Sequence, residues 1–247
     1  MAIISNTVNY LDEDTVLEAL FAVDDAQSGP RPAVLISHAW GGRDAFVAEK
    51  AQRLAELGYV GFALDMYGKG VLGTTPEENA KLMQPFINDR ALLQRRILAA
   101  LTSVKNLPWV DSRRIAAIGF CFGGLCVLDL ARTGVDIRGV VSFHGLFMPA
   151  ENIQGTPINA KVLAIHGHDD PMVPVEQVVA LERELTEAGA DWQLLTFGHT
   201  MHAFTNPAAN NPDFGTVYKP LADQRSWLAM KSFFSRDFCL RMDVVGF

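Results

Sequence analysis

The sequence predicts an α/β protein built on a mostly parallel, doubly wound sheet with helices on both faces and antiparallel strands at its N-terminal edge. Three observations lead there. Short apolar runs, each long enough for one buried strand, alternate with stretches of helical period, which is the pattern of successive βαβ units. The first ~25 residues read instead as an antiparallel pair around the acidic turn Asp12-Glu13-Asp14. A chain of 247 residues that is 49% hydrophobic and 20% charged can bury one large core, and no linker interrupts it, so residues 1–247 are expected to form a single domain.

The elements follow in order. Ala33–Ser37 opens the buried part of the sheet with Ala33-Val34-Leu35-Ile36, apolar without alternation, as befits a strand covered on both faces. Val47, Ala51 and Leu54 then recur at the spacing of one helix face, and Tyr59–Leu64 is the next strand. From Met66 to Pro85 glycine, threonine and proline leave little periodicity after a strand end, so a loop lying over the site as a cap is expected. Strands Ile115–Phe120, Gly139–Phe143, Lys161–His166 and Trp192–Thr196 complete the sheet, and Val178, Leu181 and Leu185 mark the face of a helix between the last two.

Composition excludes several classes of function. A net charge of −7 offers no basic face for nucleic-acid phosphates. The segment Met1-Ala2-Ile3-Ile4-Ser5-Asn6 lacks a basic leader, and no window approaches 18 uninterrupted apolar residues, so a cytoplasmic protein with no membrane partner is expected. Three cysteines make no disulfide framework and no C-x-x-C pair, which fits a reducing compartment. Cys126, inside a helix, and Cys239, after an aromatic helix face, read as core or surface thiols.

Chemistry concentrates at Gly119-Phe120-Cys121-Phe122-Gly123-Gly124, where an apolar strand turns sharply into a helix. This is a nucleophile elbow with sulfur in place of oxygen. Glycines two before and two after Cys121 remove Cβ atoms where strand and helix nearly touch, and the turn lifts the central side chain clear of the sheet. At a helix N-terminus the unpaired N–H groups favour an anion, so the Cys121 thiol, ordinarily of pKa about 8.5, should ionise more readily. An acid and a histidine follow, each past a strand end. Gly167-His168-Asp169-Asp170-Pro171-Met172-Val173-Pro174 offers Asp169 or Asp170, and Gly198-His199-Thr200-Met201-His202-Ala203-Phe204 offers His199 or His202.

With these motifs in this order, the chain from about Val34 to Phe234 resembles the dienelactone hydrolase family of α/β-hydrolases. That family carries G-x-C-x-G-G at the elbow, G-x-x-D-x-x-V-P at the acid and H-x-F at the histidine. The resemblance implies the α/β-hydrolase fold and selects Cys121, Asp170 and His202 as the triad, with His199 as a pocket wall or loop brace. It also implies an oxyanion hole from the backbone N–H of Phe122 and of Ala39, the latter in Ser37-His38-Ala39-Trp40-Gly41-Gly42. Two departures stand out. Many family members have a glutamate where this chain has His38, and that carboxylate takes part in ionising the thiol; His38 either replaces its role or merely braces the loop. An arginine that grips the substrate carboxylate is replaced by Asn206, which shifts the expected substrate from the dienelactone toward a neutral activated ester or lactone. Arg43, Lys69 and Arg90 are either alternative charges at the mouth or solvated surface residues.

All six histidines (38, 144, 166, 168, 199 and 202) fall at or just past strand ends, yet none pairs at H-x-x-x-H spacing on a helix, so neither a metal nor another cofactor is expected. His166 and His168 flank the acid loop, His144 can face the pocket, and Trp40, Phe122, Phe147 and Phe204 suggest an aromatic lining. The chemistry expected is acyl transfer through a thioester. A thiolate leaves a tetrahedral intermediate before an amine does, which favours esters over amides. The same thiolate could attack phosphorus in a neutral phosphotriester, and a non-catalytic metabolite sensor on this fold is the alternative from another class. The state of assembly, monomer or homodimer, is not legible, and the tail from Phe238 to Phe247 could pack on its own domain or on a second copy.

Overall fold

The structure is a computed structural model and describes residues 2–238, so Cys239 and the rest of the C-terminal tail lie outside the described residues. Strands β1 (Ile3–Asp12) and β2 (Thr15–Asp24) form the antiparallel pair, with Glu13 in the left-handed region at the turn. After them come β3 (Arg31–Ser37), α1 (Ala45–Glu56), β4 (Val60–Ala63), α2 (Pro76–Asn88), α3 (Arg90–Lys105), β5 (Val110–Phe120) and α4 (Phe122–Arg132). The chain continues through β6 (Gly139–Phe143), β7 (Lys161–Gly167), α5 (Val175–Glu187), β8 (Trp192–Phe197), the short hairpin β9 (Asn210–Asn211) and β10 (Thr216–Val217), and α6 (Pro220–Phe238).

The main sheet runs β1-β2-β4-β3-β5-β6-β7-β8, and every pairing from β4 through β8 is parallel. Alternate side chains of each strand enter two cores. Ala33, Leu35, Ile115 and Ala117 meet the faces of α3, α4 and α5, whereas Val34, Ile36, Ala116 and Ile118 meet α1 and α6. The chain leaves β3 for β4 on one side and returns to β5 on the other. The C-terminal ends of β3 and β5 are therefore the switch point of the sheet, where open α/β sheets leave a crevice.

The cap differs from the loop expected between Met66 and Pro85, because its second half is the helix α2. Only Phe86 of α2 is buried, which is why the apolar pattern was too thin to reveal it. Its start is nonetheless well signalled. Thr75 accepts the Glu78 N–H (3.2 Å), Pro76 occupies the first turn, and the Glu78 carboxylate accepts from the Thr74 N–H (2.8 Å). Strand β5 also begins five residues before the expected Ile115, as Val110 pairs with Arg31 across a register shift.

Helix α1 lies so close to β4 that a Cβ on Gly61 would stand 2.3 Å from the Ala51 carbonyl oxygen. Gly61→Ala is therefore expected to force α1 off the sheet and cost about 2 kcal/mol or more, read as a lower denaturant midpoint at unchanged m.

Candidate active site

Cys121 stands between β5 and α4 at φ 56, ψ −118, a region that non-glycine residues seldom adopt. Close packing imposes it. A Cβ on Gly119 would lie 1.9 Å from the Gly123 oxygen, and one on Gly123 would lie 2.1 Å from the Ser37 oxygen, so strand, helix and the end of β3 meet backbone to backbone. The Cys121 N–H donates to the Phe143 oxygen (3.1 Å), and the side chain, only part-buried, lines a cleft of about 720 Å³.

His202 lines the same cleft from another strand-end loop, and Asp170, on a third, is buried behind it. The imidazole Nδ1 and the Asp170 Oδ2 are 2.7 Å apart, both groups are buried, and Asp170 Oδ1 accepts the Met172 N–H (2.9 Å). The hairpin holds the histidine backbone: His202 N–H donates to the Gly215 oxygen (2.9 Å) and Val217 N–H to the His202 oxygen (3.1 Å). Nε2 is buried and makes no hydrogen bond; its electrostatic partner is the Cys121 sulfur. Burial opposes a charge on Cys121, but the His202 imidazolium outweighs it, and the Phe122 and Trp40 N–H groups add to the effect, so the thiol pKa is lowered. Burial likewise opposes a charge on His202, yet the thiolate and the Asp170 carboxylate raise its pKa. The two shifts describe a thiolate–imidazolium pair.

The backbone donors beside the sulfur are the Phe122 N–H and the Trp40 N–H, whereas the sequence pointed to the Phe122 and Ala39 N–H groups. The carbonyl between Ala39 and Trp40 is drawn the other way by the Gly42 N–H (3.2 Å) and by His38 Nδ1 (2.6 Å), which leaves the Trp40 end of that peptide toward Cys121. Ala39 itself lines the cleft. His38 is fully buried. Its Nε2 accepts the Met66 N–H (3.2 Å), so Nδ1 must carry the proton and donate to the Ala39 oxygen. Burial also lowers its pKa, and both nitrogens of this neutral ring are taken, so His38 has no site left for the thiol proton.

The remaining expected residues divide. Trp40 and His144 line the cleft. His144 is buried at φ 38, its Nε2 2.8 Å from the Thr205 Oγ1, its Nδ1 without a partner and its ring edge-on to His202 at 5.1 Å. Burial and the His202 charge both push its pKa well down, so it stays neutral. His199 is not a pocket wall: it occupies the left-handed position of an exposed turn, with only a distant Asp169 contact at 3.9 Å. Phe204 and Phe147 are fully buried behind the cleft, packed on His144 and His166 respectively, and do not line it. Phe122 contributes its N–H, while its ring stacks on Tyr67. Cys126 is buried in α4, where burial pushes its thiol up.

Three lining features went unread in the sequence. Pro76 and Met83 of α2 overhang the cleft, and Phe214 at the tip of the β9–β10 hairpin stacks on Trp40 (5.8 Å, 19°). The only signal for that hairpin was Asn210-Asn211 followed by Gly215. The basic residues proposed for the mouth lie elsewhere: Arg43 and Lys69 pair with Glu18 (2.7 and 3.0 Å), and Arg90 pairs with Asp129. Among the cleft's lining residues Asp44 and Asp213 are charged, and neither lysine nor arginine is present. Among the described residues no three histidine, cysteine or acidic side chains converge as metal ligands, and no helix is long and apolar enough to cross a membrane.

A sequence model of the dienelactone hydrolase family matches residues 17–238. A candidate carboxymethylenebutenolidase of Aquifex aeolicus is 28% identical over 208 residues, covering 82% of this chain and 87% of its own. The crystal structure of a dienelactone hydrolase-like promiscuous phosphotriesterase from metagenomic libraries superposes with a TM-score of 0.92 at 38% identity, covering 96% of this chain and all (100%) of that one. A dienelactone hydrolase from Anabaena variabilis, 19% identical, shares the fold with a TM-score of 0.69, over 96% of this chain and 99% of its own.

Alkylation of Cys121 by iodoacetamide follows the thiolate, and a lowered pKa keeps the thiolate until pH falls through that lowered value. The acid limb of the rate should therefore lie below the free-thiol range of about 8.5. His202→Gln removes the cation and leaves burial unopposed, so the limb should move upward; an unmoved limb in a rate-against-pH series would contradict the pairing.

Proposed function

Because the chain belongs to the dienelactone hydrolase family and is a hydrolase of that kind, we propose that it cleaves uncharged, activated carboxylic esters or lactones through Cys121, His202 and Asp170. The observation that carries this reading is the placement of Cys121 and His202 on one wall of a largely apolar cleft, with Asp170 at 2.7 Å from the far side of the imidazole, an arrangement that favours a thiolate.

The Cys121 sulfur attacks the carbonyl carbon, a C–S bond forms, and the carbonyl electrons pass to oxygen, which the Phe122 and Trp40 N–H groups receive. As the C–O bond breaks, His202 gives its Nε2 proton to the departing alkoxide, leaving a thioester and a neutral imidazole. That imidazole takes a proton from water while the water oxygen attacks the thioester. The carboxylic acid departs and the thiolate returns. Asp170 keeps Nδ1 protonated and aimed throughout. An amine would be a poorer leaving group than the thiolate, so amides should be returned unhydrolysed.

Charge narrows the substrate. With Asp44 and Asp213 at the lining, Asn206 on the wall, neither lysine nor arginine there and the His202 imidazolium already paired with Cys121, a carboxylate on the substrate meets repulsion without a free counter-ion. A second reading, phosphotriester hydrolysis by the same sulfur, is supported by the relative whose name gives it that promiscuous activity. In it the thiolate attacks phosphorus and expels an aryloxide, and water then releases the phosphodiester.

Mass spectrometry after brief exposure to an activated ester should show one acyl adduct, on Cys121, and Cys121→Ala should lose both adduct and turnover, by about a thousandfold or more. Wild-type protein with neither adduct nor turnover on short esters would favour a non-catalytic binding role. Between isosteric esters, the one bearing a carboxylate should have a kcat/KM about tenfold or more below the neutral one, tenfold being about 1.4 kcal/mol, less than the several kcal/mol that a fully buried unpaired charge costs. Chelator-treated enzyme that cleaves the ester but releases no nitrophenol from a neutral aryl phosphotriester would remove the second reading.

A further inference from the structure

His38 stands where the family resemblance expects a carboxylate that ionises the thiol, but its surroundings fit a different task. The peptide joining Ala39 to Trp40 is planar and trans, so its carbonyl and its N–H point in opposite directions. His38 Nδ1–H holds the carbonyl end at 2.6 Å, and the N–H end lies beside the Cys121 sulfur. A grip on one end sets the aim of the other.

The grip is itself anchored. Nε2 of His38 accepts the Met66 N–H, the Met66 oxygen accepts from Arg96 (2.9 Å), and the Asp65 backbone is tied at both N–H and oxygen to the Tyr10 hydroxyl (3.0 and 2.7 Å). The Tyr67 hydroxyl donates to the Trp40 oxygen (2.9 Å), holding the next peptide too, and the Tyr67 ring meets His38 edge-on at 4.8 Å. Two carbonyls in succession are thus fastened to the segment that follows β4, while the N–H between them has no oxygen or nitrogen acceptor among the described residues and lies beside the sulfur.

We propose that His38 is a positioning residue: as a neutral Nδ1–H tautomer it orients the Ala39–Trp40 peptide so that the Trp40 N–H receives the oxyanion, and it exchanges no proton with Cys121. The inference rests on the hydrolase reading above. It requires a ring that donates on one side and accepts on the other, which a carboxylate cannot do. A glutamate at this position would face the Ala39 oxygen with an acceptor and lose the grip.

The test separates the two ring functions. His38→Asn keeps a donor near the Nδ1 position, whereas His38→Gln keeps an acceptor within reach of the Met66 N–H and loses the donor to Ala39. His38→Gln should lower kcat by roughly tenfold or more, short of the hundredfold or greater loss on deleting a hole donor, with KM little changed. Its affinity for a trifluoromethyl ketone, which adds the thiolate and leaves an oxyanion in the hole, should fall by the same factor. His38→Asn should recover most of both losses. A His38→Gln enzyme with unchanged kcat, or one in which KM alone rises, would overturn the proposal. Nitrogen-15 spectra of the imidazoles give a readout in the unmutated protein, independent of turnover. They should show His38 as the neutral Nδ1–H form across the active pH range. The opposite tautomer, or a ring that titrates together with Cys121, would also overturn it. Absence of any ester hydrolysis or Cys121 adduct in the wild type would instead count against the function.

Discussion

The backbone contact among β3, β5 and α4 is the constraint on which the site rests. Gly119, Gly123 and the Ser37 carbonyl touch with no room for a Cβ, and Cys121 is forced to φ 56 as the chain passes between them. That conformation turns the sulfur out of the sheet toward the cleft and at the same time leaves the first N–H groups of α4 facing it. The exposure of the sulfur to the cleft and the N–H groups beside it therefore have one geometric origin. Strain of this kind is concentrated: of the five non-glycine residues with positive φ among the described residues, Glu13 serves the N-terminal turn and the other four, Cys121, His144, His199 and Ala203, sit on loops that build or adjoin the site.

Electrostatics then act within that frame. Burial alone would keep both the thiol and the imidazole neutral, and it is the largest influence on each. Mutual attraction in a poorly solvated wall outweighs it, with Asp170 fixing the tautomer from behind and His144 offering a neutral neighbour in place of a second cation. The pair depends on His144 staying uncharged, since a cation beside His202 would compete with its imidazolium.

The character of the cleft is set mainly by side chains on loops and helices rather than by the strands of the main sheet. Arg43 and Lys69 are committed to Glu18 and Arg90 to Asp129, where they stabilise the hairpin edge and the packing of α3 on α4. What remains at the lining is apolar and aromatic, closed on one side by α2 and on the other by the Trp40–Phe214 stack. The two departures from the family pattern, His38 in place of the glutamate and Asn206 in place of the arginine, lie on loops, while the sheet beneath shares its fold with a structure at 19% identity.

Local chemistry determined much of this from the sequence alone. Apolar runs separated by helical periods specify a parallel sheet because each strand must be buried on both faces, and glycines flanking Cys121 specify the elbow because only a missing Cβ allows that contact. The Cys121, Asp170 and His202 side chains meet because three strand ends of one parallel sheet lie at the same edge. Other features depend on contacts between segments far apart in the chain, which no local pattern encodes. Helix α2 exposes most of its surface and so shows little periodicity, His199 is exposed while Phe204 is buried according to how the last loop folds, and His38 is fixed by the Met66 N–H from the segment after β4. A peptide unit carries an acceptor at its carbonyl and a donor at its N–H; which of the two faces the sulfur is decided by the His38 ring and the Gly42 N–H that hold the Ala39 oxygen, and that ring is set in turn by the Met66 N–H from a distant segment.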